Sequence, residues 1–302
     1  MSDSALLMSG STKIEVGWDD TLGLSQPKEM IGSMKMGVNT VLFGGYDLAT
    51  ALEHIKWTGY NGAELASIPG MAEHLSDTAS DSELAEIRKM VEDAGLALYC
   101  VEAATNILTA DNRERSKRVF ERAAKLGIPM VTIGSGGTSD DEDSTQQSIQ
   151  AIAELAQAAG DVGIQFALKL HYGQSIYNTR TALRLMSEVK HPALGLNYDA
   201  THIGRVGDEP VAALEALKDY VIHMHIRDTQ MDQLKISPPD GQIAGRGTVP
   251  LAGVVKKTVE IGYQGAVCLE IIGAGAYTLP QCTAIAAESR GYLKRLFEEA
   301  GQ

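Results

Sequence analysis

One rhythm dominates this chain: a short apolar, β-branched run, a polar loop, an amphipathic helix, a glycine-bearing turn, then the next run. The runs are MGVNTVLF (36–43), GAELAS (62–67), ALYCVEA (97–103), MVTIGS (130–135), QFALKLH (165–171), LGLNYDA (194–200), VIHMHIRD (221–228) and AVCLEII (266–272). Several are almost continuously apolar, as expected of strands with helices over one face and a filled interior against the other. Between them, SDSELAEIRKMVEDAGL opens on a capping box from Ser80 to Glu83 and stops at Gly95. RERSKRVFERAAKLGIP closes on Gly127, AIAELAQAAGDVG on Gly160 and GVVKKTVEIGY on Gly262. TRTALRLMSEV and EPVAALEALKDY fill two further gaps, with Asn178 or Thr179 and Asp208 as N-caps. Eight strands alternating with helices predict an α/β fold, the (β/α)8 TIM barrel. A doubly wound sheet would carry a G-x-G-x-x-G fingerprint after its first strand, and VLFGGYDL has none.

The barrel is expected over 34–302 as a single domain with an N-terminal arm, 1–33. That arm suits an oligomer contact, a cover for the barrel floor, or an upstream start without function; a homo-oligomer is expected. The 302 residues, 44% hydrophobic and 22% charged, are enough for one large barrel core. A formal net charge of -13 argues against nucleic-acid and anionic-membrane partners. No run approaches a transmembrane span. The opening MSDSALLMSGSTK lacks the basic leader of a secretory signal. Cys100, Cys268 and Cys282 are odd in number and scattered, which reads as reduced thiols in a cytoplasmic protein. Trp57 is expected in helix packing.

In a barrel of this kind the site lies at the C-terminal mouth, among strand ends and the loops after them. Those ends carry Glu64, Glu102, Lys169 with His171, Asp199 with His202, then His223, His225, Arg227 and Asp228, and finally Glu270. A carboxylate inside VCLEII needs a cation, a proton or a metal to be buried at tolerable cost. Asp199, His225 and Glu270 from three adjacent strands would suit Mn²⁺, Mg²⁺, Co²⁺ or Zn²⁺. The competing possibility is a network of ion pairs closing the barrel, with Lys169 as its cation. The long loop 229–248 belongs at the functional end. Arg246 within it, with the glycines of IIGAGAY, could grip a phosphate or sugar hydroxyls. Glu64 and Glu102 are candidates for binding sugar hydroxyls, and Arg227 for holding substrate.

The segments LNYDATH, HMHIRD, GRGTVPLAGVVKKTVEIGYQGAVCLEII and MGVNT...ALEHIKWTGYNGAEL resemble the xylose isomerase-like TIM-barrel superfamily of sugar isomerases and epimerases, over about 34–298. The resemblance implies a divalent metal held by Glu, Asp, His and Glu from the last four strands, and the last three map onto Asp199, His225 and Glu270. A second His near the substrate maps onto His202. The first Glu does not carry over, because the chain reads Lys169-Leu170-His171 there. His171 then becomes the expected fourth ligand; the alternatives are an ammonium in place of the metal, or Lys169 as base or Schiff-base nucleophile. The implied activity is isomerisation or epimerisation of a keto-sugar by proton abstraction next to its carbonyl, with Glu270 as leading base and Lys169 and His171 as partners. A lyase eliminating from a 3-keto-glycoside, including C-glycoside cleavage, is the alternative. Rival readings are a metal-free Schiff-base lyase, an endonuclease IV-type nuclease disfavoured by the charge, and a non-catalytic subunit.

Overall fold

A computed structural model describes residues 34–302; the arm 1–33 lies outside the described residues. Eight parallel strands form a closed barrel: β1 (Met36–Asn39), β2 (Gly62–Ile68), β3 (Ala97–Glu102), β4 (Met130–Gly134), β5 (Gln165–Lys169), β6 (Leu194–Asp199), β7 (Val221–Ile226) and β8 (Val267–Leu269). Each pairs with its neighbour, and β1 pairs with both β2 and β8, which closes the cylinder. A two-residue strand, Ala72–Glu73, folds back antiparallel on the end of β2.

Helices α1 (Leu48–Trp57), α2 (Asp81–Ala94), α3 (Ala110–Leu126), α4 (Glu142–Asp161), α5 (Thr179–Glu188), α6 (Ala200–Arg205), α7 (Pro210–Leu217), α8 (Leu251–Glu260) and α9 (Leu279–Glu299) surround the sheet. The Ser80–Glu83 box starts α2, and Gly95 ends it at φ 61°, a left-handed geometry costly for any residue with a Cβ. Gly127 ends α3 in the same way. Asn178 caps α5, as expected. Asp208 does not cap α7; Glu209 does, and the Asp208 carboxylate accepts from the Thr179 N–H. The helix α4 runs through Gly160 to Asp161. The first strand is shorter than its apolar run: after Asn39 the chain turns into a 3-10 helix, and the Asn39 side chain accepts from the Val41 N–H at 2.9 Å.

The apolar core lies between strands and helices, with Phe43, Phe120 and Phe166 fully buried there. Phe166 faces Phe120 of α3 with ring centroids 5.9 Å apart, so alternation along β5 turns Lys169 inward. Trp57 is not in the core; it is 67% exposed and rests against His54 of the same helix, ring centroids 4.6 Å apart. All three cysteines are free and buried. Among the described residues no helix is long and apolar enough to cross a membrane.

Candidate active site

The barrel's centre is filled by charged and amide side chains where many barrels carry branched aliphatic layers. At its floor Glu64 of β2 accepts from His223 at 2.7 Å and from His225 at 2.9 Å, both reaching across from β7. Asn39 of β1 donates to Glu64 at 3.0 Å and to Glu102 at 2.6 Å. Above them Lys169 Nζ crosses from β5 to Glu102 at 2.9 Å and to Glu270, just past the end of β8. The guanidinium of Arg227 then ties Asp199 at 3.0 Å to Glu270 at 2.9 Å. Every one of these side chains is buried.

The roof is histidine. His171 stacks on His202 with centroids 4.2 Å apart. The Tyr172 N–H donates to His202 Nδ1 at 3.1 Å, and Arg205 and Arg227 each place a nitrogen near the His202 ring, at 3.0 and 3.1 Å. His171 Nδ1 lies 2.7 Å from the Tyr172 carbonyl oxygen, which can only accept. Nδ1 therefore carries the proton, and Nε2 keeps the lone pair when the ring is neutral.

Electrostatics sort these groups. Burial pushes the Glu270 carboxyl up, but Arg227, Lys169 and His225 outweigh it and hold the group well below the usual range. Asp199 is lowered too, burial being overcome by Arg227 and Lys169. Burial and the Glu270 charge raise Glu102 to about 7 against the pull of Lys169. Burial disfavours the Lys169 ammonium, yet Glu102 and Glu270 raise it above its ordinary value. His225 is raised to about 10, burial being outweighed by Glu64 and Glu270. Burial and the Lys169 charge bring His171 down to about 4, so its imidazole is neutral at pH 7.

Three groups have donor atoms close enough for a cation, within 4.8 Å of one another: Asp199, His225 and Glu270; Glu64, Glu102 and His225; and Glu64, His223 and Cys268. The first is the set expected from the sequence. His171, expected as a fourth ligand, falls outside all three, because its ring is drawn over His202 and its Nδ1 is spent on Tyr172. As arranged, these donors do not fit a divalent ion. His225 presents Nε2 to Glu64 and Nδ1 to Glu270, 3.5 Å away, and so holds its protons. Glu270 Oε1 meets Lys169, and Oε2 lies 2.9 Å from the Arg227 guanidinium without a formed hydrogen bond, while Asp199 meets Arg227 and the Thr201 N–H.

Other expectations fare unevenly. Glu64 and Glu102 are both buried, Glu64 bonded to Asn39, His223 and His225 and Glu102 to Asn39 and Lys169. Arg246 is half-exposed and pairs through two bonds, 2.7 and 2.6 Å, with Glu288 of α9. Asp228 organises the long loop, accepting from Thr229, Val249 and Gly245. A Schiff-base role for Lys169 conflicts with its two carboxylate partners, which keep the amine protonated and non-nucleophilic. Glu270 is a poor base for the same reason. Sequence reasoning missed Asn39 and Asn197; Asn197 donates to Thr132 at 2.9 Å and lies 3.3 Å from His225.

A closed (β/α)8 barrel with acids, imidazoles and two cations joined at its mouth defines a class of protein whose chemistry sits at the strand ends. The chain belongs to the xylose isomerase-like TIM barrel family, whose model matches residues 52–296. It is 24% identical over 257 residues to a 3-dehydroshikimate dehydratase of Pseudomonas putida, covering 82% of this chain and 39% of that protein. The chain thus spans well under half the length of that relative. It is 20% identical over 239 residues to a D-psicose 3-epimerase of Ruminiclostridium cellulolyticum, covering 72% of this chain and 76% of the other. Among solved structures it resembles an IOLI protein crystallised with a zinc atom: TM-score 0.73, 19% identity, and coverage of 87% and 99%.

Proposed function

We propose that this protein is a lyase of the dehydratase type, acting on a small keto-sugar or cyclic keto-polyol. The observation that carries the proposal is the convergence of Lys169 and Arg227 on Glu270 beneath a neutral imidazole, His171. Epimerisation by a carboxylate on each face of a carbon needs two free bases. Here the strand-end position on β5 is an ammonium, and Glu270 is committed to two cations. Elimination needs one base and one face.

In this reading the substrate carbonyl lies toward Lys169 and Arg227. Their charge stabilises the enolate that forms as the α-carbon loses its proton. His171 Nε2 takes that proton. The C–O bond at the β-carbon then breaks, a C=C bond forms, and the His171 proton leaves on the departing hydroxyl as water. Asp199 and Glu102 hold the two cations in place. The dehydratase among the relatives supports this class of reaction; the psicose epimerase supports a polyhydroxylated ketone as substrate.

The test is a panel of cyclic and open-chain keto-polyols incubated in D₂O and followed by NMR and ultraviolet absorbance. An α,β-unsaturated ketone is expected, with solvent deuterium exchange at the α-carbon that disappears in His171→Gln. A product that keeps every hydroxyl and inverts one centre refutes elimination in favour of epimerisation. Absence of turnover and exchange across the panel refutes the enzyme reading.

A further inference from the structure

The two candidate cation groups nearest the mouth share His225 and are bridged by one ammonium. Lys169 Nζ touches Glu102 of one group and Glu270 of the other. In the third group Glu64 is committed, accepting from His223, His225 and Asn39, while His223 Nδ1 is buried without a partner. We infer that Lys169 stands where a divalent ion would stand, so that the centre carries its own tethered cation and is built to work without a metal.

Geometry and charge carry this inference. An ion seated among Asp199, His225 and Glu270 would lie against the Lys169 ammonium, the Arg227 guanidinium and His225 Nδ1; of the carboxylate oxygens in that group, Glu270 Oε2 is the one no hydrogen bond occupies. Asp199 and Glu270 bring two negative charges against two positive ones on Lys169 and Arg227, and the protonated His225 largely offsets Glu64 and the partly protonated Glu102, so an arriving divalent ion meets little net attraction. Neither cation can swing into water cheaply: the Lys169 side chain is 6% exposed and that of Arg227 1%. The barrel shape is no obstacle, since a structural neighbour with the same fold was crystallised with zinc. This inference does not depend on the proposed elimination, because metal content is read without turnover.

The test uses the whole chain. Wild-type protein is loaded with MnCl₂ or ZnCl₂, dialysed against metal-free buffer and analysed by plasma mass spectrometry. Far less than one ion per chain is expected, with the same melting temperature in EDTA as in MnCl₂. In Lys169→Glu two charge units change beside the acidic group, and Mn²⁺ affinity by calorimetry is expected to rise at least about a hundredfold. A wild-type chain that retains one ion, or that melts lower in EDTA, overturns the inference. So does a folded Lys169→Glu chain with wild-type affinity. Should that variant fail to fold, the wild-type measurements decide alone.

Discussion

Replacing Lys169 with methionine keeps most of the stem's bulk and deletes the ammonium. At the 2.9 Å separation from Glu102, the pairwise attraction is about 6 kcal/mol at an effective dielectric of about 20. Part of that is offset by the desolvation both ions already bear, while the variant strands two buried carboxylates. The expected net loss at mildly alkaline pH is about 3–5 kcal/mol. The loss should shrink in acid. Glu102 sits at about 7 with Lys169 present and must titrate higher without it. A carboxyl raised above its unfolded value of 4.5 binds more protons when folded. Its contribution is full below the unfolded value and disappears as pH climbs through the folded one. Wild type has the same slope between 4.5 and about 7, so the gap between the two chains narrows, by about 1.4 kcal/mol per pH unit, only from the variant's higher folded value down to about 7, and is constant below that. Urea unfolding followed by circular dichroism at about pH 5.5, 7 and 8.5 measures this directly. A loss under about 1 kcal/mol, or one independent of pH, refutes the view that Lys169 is the charge partner of these acids.

The remaining predictions are simpler. His171→Gln should lower turnover by about 10²–10⁴-fold while leaving the melting temperature near wild type; unchanged turnover removes His171 as base. Arg246→Ala should alter stability by no more than about 1 kcal/mol and leave turnover intact; a large rise in KM would return Arg246 to the site. His225 is raised from 6.5 to about 10, so its stabilisation is complete below 6.5 and is lost as pH rises through 10. Melting scans should show stability falling on the alkaline side, and a flat profile there contradicts the protonated imidazole. Gly62→Ala would place a Cβ 2.1 Å from the Tyr99 ring, and a destabilisation of about 1–3 kcal/mol is expected from chemical unfolding.

Much of this architecture was readable in one sequence because helix and strand periods differ and because glycine marks helix ends. The eight apolar runs and the Ser80–Glu83 box needed no tertiary information. The polar centre was readable wherever an ionisable residue interrupted an apolar run, as at Lys169, Asp199, His225 and Glu270. Asn39 and Asn197 were missed because a lone amide in a strand looks like a tolerated substitution. The i, i+2 rule places Asn197 on the same face as Asp199, and that would have found it. Direction was harder than position. His171 shares a face with Lys169 by alternation, yet β5 ends at Lys169; beyond the ladder the pleat no longer dictates where a side chain points. Arg246 was beyond reach because its partner, Glu288, lies on α9, far along the chain.

The floor of the cylinder has a consequence for how such a protein can change. Asn39, Glu64, Glu102, Lys169, His223 and His225 link β1, β2, β3, β5 and β7 by side-chain bonds that add to the backbone ladder. Lys169 belongs both to this network and to the proposed chemistry, so at that position foldedness and reactivity draw on the same atoms. A mutation of Lys169 that retunes the chemistry also loosens the staves around it, whereas one at His171 does not. New specificity is then far easier to acquire in the loops above the mouth, where a substitution can reshape what enters without touching what holds the vessel shut.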